Sequence, residues 1–138
     1  MNVALLRESF ELVATRQPDV TRHFYDILFE RYPQTRAMFG RNARAAQEKM
    51  LTQALVAVMD HLEDASWFAV TLGALGAKHV DYGVTDEMYH WVGECLLEAL
   101  ARAAGADWTA EIADEWTEAY RAIAGAMIDG ARRARAAA

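Results

Sequence analysis

Apolar residues in this chain recur close to every 3.6 positions almost from end to end, and no stretch alternates apolar with polar. That period leaves little room for a sheet and predicts helices packed on helices. Only two prolines interrupt it, both early. Pro18 separates a first helix, roughly 2 to 17, from a second, about 19 to 32, with Val20, Phe24, Ile27 and Leu28 on one stripe. Pro33 ends the second and opens a short third, PQTRAMF, because proline is tolerated at a first helical position.

The polar passage GRNARAAQ reads as a loop running into a helix from about 44 to 62. Its stripe is Gln47, Met50, Leu51, Ala54, Leu55, Val58 and Leu62. EDAS breaks the pattern, with Asp64 or Ser66 as the next cap. Phe68, Leu72, Leu75, Gly76 and His79 then run in phase up to Gly83, a helix stop. Thr85 or Asp86 caps a helix carrying Met88, Trp91, Val92, Cys95, Leu96 and Ala99 and ending near Gly105. The last helix starts around Thr109, carries Ile112, Trp116, Ala119, Tyr120, Ile123 and Met127, and ends in a basic stretch, ARRARAAA, expected to fray. The expectation is an all-α protein of six longer helices and one or two short ones. No repeat, linker or composition shift divides it, so residues 1–138 are read as a single domain.

Composition narrows the function classes. A formal charge of -6 argues against nucleic acid as a main partner. No apolar run approaches the about 20 residues a membrane span needs. The N-terminal MNVALLRESFEL mixes charges into its apolar residues at helical spacing, unlike a signal sequence. The single cysteine, Cys95, excludes an internal disulfide and any CxxC site, and fits a reducing cytoplasm. By phase it belongs to the core.

Two polar residues point inward by phase, His79 and Gln47, and buried polar groups need partners. A lone histidine on an apolar face is more often a hydrogen-bonded core residue than a ligand. His23, His61 and His90 fall at no metal-binding spacing around it, so a zinc site made by protein alone is not expected. A metal that needs one protein ligand is still allowed, and haem iron is that case. Haem requires a flat apolar slot, which Phe39, Leu51, Val84, Val92, Leu96 and Ile123 could line. Tyr25 and Gln47 could supply polar groups to a bound diatomic molecule. A wet tyrosine and a solvated first-turn glutamine are the plainer readings of that pair.

The stretches HFYDILFERYPQTRAMF, QEKML, GAKHVDYGVTDEMYHWVGECLLEAL and DEWTEAYRAIA carry a family resemblance. In that order, and over nearly the whole chain, they resemble bacterial single-domain globins and the globin half of flavohaemoglobins. The resemblance implies a globin fold around a haem b pocket, with His79 as the proximal iron ligand. It implies that Phe39 packs on the porphyrin, that Tyr25 points at the ligand, and that Gln47 stands where vertebrate globins carry a distal histidine. Leu51, one turn on, would crowd the ligand, and Tyr89 would reach the histidine's surroundings. Trp116 and Tyr120 match last-helix positions that serve either haem contact or core packing, and Lys49 could pair with a haem propionate.

The chain departs from the flavohaemoglobin pattern at two places. Ala131 stands where that branch carries a last-helix glutamate beside the proximal tyrosine and histidine, which argues against a strongly electron-donating histidine. The passage from Phe39 to Gln47 is also shorter, so the glutamine could sit differently. No GxGxxG stretch is present, so a reductase half is not expected within these 138 residues. The leading expectation is reversible O2 binding at a five-coordinate ferrous iron open to O2, NO and CO. The alternative is NO dioxygenation with an external reductase, and a gas sensor with a separate output partner comes last. A monomer or a homodimer is compatible with the sequence.

Overall fold

The computed structural model describes residues 1–138, and every regular element in it is helical. The long helices are α1 (Val3–Arg16), α2 (Val20–Arg31), α3 (Arg44–Asp60), α6 (Asp86–Ala104) and α7 (Ala110–Ala137). A sixth long helical stretch is built of three parts without a break: α4 (Ala65–Trp67), a π turn (Phe68–Leu72) and α5 (Gly73–Asp81). Short 3-10 helices cover Pro33–Phe39 and Gly105–Asp107. The expected set of six longer helices with short companions is therefore present.

Local chemistry explains the boundaries. The Asn2 side chain accepts from the Leu5 N–H at 3.0 Å and starts α1. Asp64, not Ser66, caps α4 by accepting from the Trp67 N–H at 2.9 Å. Thr85 is the N-cap of α6, and the Thr109 hydroxyl caps α7 from the Ile112 N–H at 3.2 Å. Gly83 adopts φ +84°, a left-handed conformation that ends the turn after α5 and that glycine takes without steric cost.

α6 lies at the centre, touching α1, α2 and α7, while α3 leans on α2 and α5 packs on α7. Leu6, Leu28, Leu100, Cys95 and Trp116 are among the most deeply buried side chains. Trp116 donates its indole N–H to the buried Ser9 hydroxyl at 2.9 Å, so the one polar group it takes into the core is satisfied. Burial pushes the Cys95 thiol up to about 11. Between α2 and α6, Tyr32 stacks on Trp91 with centroids 4.6 Å apart, and Arg31 pairs with Glu94 and Glu98.

At the α5–α7 contact the two backbones approach each other closely. A Cβ on Gly76 would sit 1.9 Å from the Met127 carbonyl oxygen, and one on Gly130 would sit 2.0 Å from that of Gly73. Glycine is therefore required at both positions.

Two expectations change. Met50, expected on the inward stripe of α3, is 48% exposed: α3 makes its main helix contact with α2, and Met50 is left uncovered. The C-terminal stretch, expected to fray, is helical as far as Ala137, and Arg132 and Arg135 tie it to the start of α6. Arg132 pairs with Asp86 at 3.2 Å, and Arg135 donates to the Val84 carbonyl at 3.2 Å.

Candidate functional site

His79 sits in the last turn of α5, half-buried. Its Nδ1 lies 2.8 Å from the Leu75 carbonyl oxygen, one turn back. That bond fixes the ring and its tautomer with Nδ1 protonated, and leaves the Nε2 lone pair uncommitted. Burial lowers the His79 pKa below its usual value, outweighing the Leu75 hydrogen bond that raises it. The imidazole is thus neutral at physiological pH, the form a metal ligand needs.

Tyr89, on α6, lies beside it, with ring centroids 6.5 Å apart and planes at 30°. The Tyr89 hydroxyl is buried and has no hydrogen-bond partner. Burial raises its pKa, so it keeps its proton. On α7, the Tyr120 hydroxyl is turned away, donating to the Tyr89 carbonyl oxygen at 2.5 Å. Trp116 is committed to Ser9, so both last-helix aromatics make bonds within the protein. Ala131, on α7, is buried.

A second group forms between α2, the 3-10 helix and α3. Tyr25 is buried among Phe24, Phe29 and Phe39, with centroids 4.9, 5.7 and 5.3 Å away. The Gln47 amide donates from Nε2 to the Tyr25 hydroxyl oxygen at 3.3 Å. The Gln47 Oε1 in turn accepts from Asn42 Nδ2 at 3.5 Å. Thus the short passage after Phe39 still brings Gln47 to Tyr25. Burial is the main reason the Tyr25 pKa is raised, which keeps the phenol a donor.

The remaining expected residues split by burial. Phe39, Leu51, Val84, Val92 and Ile123 are half-buried against the core, whereas Leu96 is buried. α3 and α5 do not pack closely on one another. Half-buried apolar side chains, an uncommitted histidine nitrogen and an orphaned tyrosine hydroxyl are what the walls of a slot for a flat apolar ligand would present. These residues fit a haem. Lys49 is exposed and forms no ion pair.

Arg36, Asn42 and Arg44 carry no periodic or motif signal that marks them as site residues. All three line a cavity of about 210 Å³ together with Tyr25, Phe29 and Gln47. They lie in or next to a loop without hydrophobic period; the available signal was three arginines and no carboxylate between Tyr32 and Gln47.

The globin family profile matches residues 22–127. This chain belongs to the globin family. Among solved structures, this globin is similar to an engineered carbene transferase built on a candidate nitric oxide dioxygenase of Rhodothermus marinus. That likeness has 27% identity and a TM-score of 0.85, and covers 98% of this chain and 94% of the other. It is also similar to a bacterial globin from Campylobacter jejuni, with 26% identity, a TM-score of 0.81, and 95% and 94% of the two chains covered. Among curated proteins, the flavohemoprotein of Bordetella pertussis is 31% identical over 137 residues, 98% of this globin and 34% of the relative. The globin thus spans about a third of the length of the curated relatives it matches.

Proposed function

We propose that this globin holds haem b between α3 and α5, that His79 Nε2 would be the protein ligand to its iron, and that it binds O2 reversibly. When bound, haem supplies a ferrous iron that takes O2, NO or CO. The free Nε2 of a neutral, oriented imidazole is the observation that carries this reading. Phe39, Leu51, Val84, Val92, Leu96 and Ile123 supply the apolar walls, and Tyr89 lies on the histidine's side. Tyr25 presents a protonated hydroxyl to the ligand, and Gln47 holds its oxygen in place. A donor there stabilises partial negative charge on a bound diatomic molecule by about 1–3 kcal/mol. With Ala131 in place of a carboxylate, the histidine keeps the ordinary donor strength set by a carbonyl hydrogen bond.

The second reading is conversion of NO and O2 to nitrate, with a separate reductase supplying the electron. Its support is the likeness to flavohemoproteins and to the R. marinus structure. Both readings need the same pocket; we place it in a single domain over 1–138, in a cytoplasmic setting, as monomer or homodimer.

The test is an absorption spectrum of the purified protein after haem addition: reduced, then in air, then under CO. A deoxy band giving way to a stable oxygenated doublet is expected. His79→Gly should lose the band and regain it with added imidazole. A wild-type chain without a Soret band overturns the reading.

A further inference from the structure

The cavity beside Tyr25 has a charge character that O2 binding does not call for. Of its lining residues, Arg36 and Arg44 are cationic, Asn42, Gln47 and Tyr25 are polar, and none is acidic. This occurs in a chain of net charge -6. The arginines share one support: the Arg36 guanidinium lies 5.0 Å from the Phe29 ring centroid and that of Arg44 lies 5.7 Å from it. Their electrostatic states differ. Arg44 is matched by Asp26 at 2.6 Å and Glu48 at 3.2 Å. Arg36 enters none of the protein's ion pairs, so its charge is uncompensated at the cavity mouth. The start of α3 adds to the field, since its N-cap is Ala43, with no side-chain cap, and its first turn holds no acid.

We propose that this cavity is a port for small monovalent anions, through which anionic ligands or products of the azide, nitrite or nitrate kind enter and leave the Tyr25–Gln47 side of the pocket. The port rests on the haem reading above. Arg36 attracts the anion from solvent, where an unpaired cation at a concave mouth raises the local anion concentration. Phe29 keeps the guanidinium over the opening instead of letting it swing into solvent. The Tyr25 proton is the donor met at the inner end, because Gln47 occupies the phenol as an acceptor. Nitrate formed from NO would leave by the same route, so the port bears on the dioxygenase reading more than on O2 storage.

The test compares a charged with a neutral ligand in the haem-loaded protein. Azide association with the ferric form and CO association with the ferrous form are followed by stopped flow, in wild type, Arg36→Gln and Arg36→Glu. Arg36 is exposed and makes no hydrogen bond, so neither change threatens the fold. Azide association should fall about 3- to 10-fold at low ionic strength in Arg36→Gln, and further in Arg36→Glu. Added salt should erase the difference, and CO rates should not move. Azide and CO slowing together would make Arg36 a steric element and overturn the proposal, as would unchanged azide rates. Faster haem loss with unchanged azide entry would give the guanidinium to a haem carboxylate instead. Failure to take up haem is a separate outcome, visible in the spectrum, and removes the reading beneath the port.

Discussion

The Gln47 side chain holds Tyr25 by its oxygen, with the amide Nε2 donating to the phenol at 3.3 Å. Because that oxygen is already an acceptor for Gln47, the phenol proton is free for a ligand. Tyr25→Phe removes the donor while keeping the ring among Phe24, Phe29 and Phe39. O2 dissociation should then accelerate about 10- to 100-fold, the size of one lost hydrogen bond of about 1–3 kcal/mol. Flash or stopped-flow release kinetics decide it. An unchanged off-rate removes Tyr25 from ligand binding.

Gly76, packed directly on the Met127 backbone, constrains where α5 can carry His79. A methyl at Gly76 meets backbone, not a flexible side chain, so α5 must lift from α7 to admit it. Gly76→Ala should cost about 1–3 kcal/mol or more in urea unfolding and hasten haem loss. Wild-type stability in that variant would mean that the two helices separate without cost.

Ser9→Ala strips the acceptor from the Trp116 indole at the centre of the core. A buried unsatisfied N–H costs about 1–3 kcal/mol, so the urea midpoint should drop accordingly. Since the Ser9 hydroxyl bonds only Leu6 and Trp116 and no proposed pocket residue, O2 kinetics should stay as in wild type. Altered ligand rates with intact stability would contradict this separation.

Acid sensitivity should reside partly in Glu98. The Arg31 guanidinium holds its carboxyl below the usual carboxylate range. Its contribution to stability is therefore present above the unfolded value, 4.5, and is lost as the pH falls through the lower folded one. Urea midpoints of Glu98→Gln should trail wild type at pH 7 and converge with it in strong acid. A constant gap at every pH would place the effect in packing. The two side chains are still 36% and 28% exposed, so solvent screens the pair and the gap at pH 7 should be small.

The helices were legible because each stripe and stop is a local signal. Pro18, Pro33, Asp64, Gly83, Thr85 and Thr109 each act within one turn of where they stand. Met50 was misplaced for the opposite reason: periodicity shows which residues share a face, not whether another helix covers it. The basic end of α7 was read as fraying because Asp86 and Val84, its partners, are remote in sequence. The proximal group was visible through a resemblance that residue phase alone would not have supplied. Arg36, Asn42 and Arg44 went unseen because their common cavity is a product of tertiary folding.

Cys95 is fully buried and its thiol is shifted up to about 11. Nitrosation and peroxide attack proceed through an accessible thiolate. The chain therefore offers almost none to reactive nitrogen and oxygen species. Damage by such species would have to begin elsewhere, at an exposed methionine such as Met50, and a cysteine introduced on the surface would take a maleimide probe with little competition.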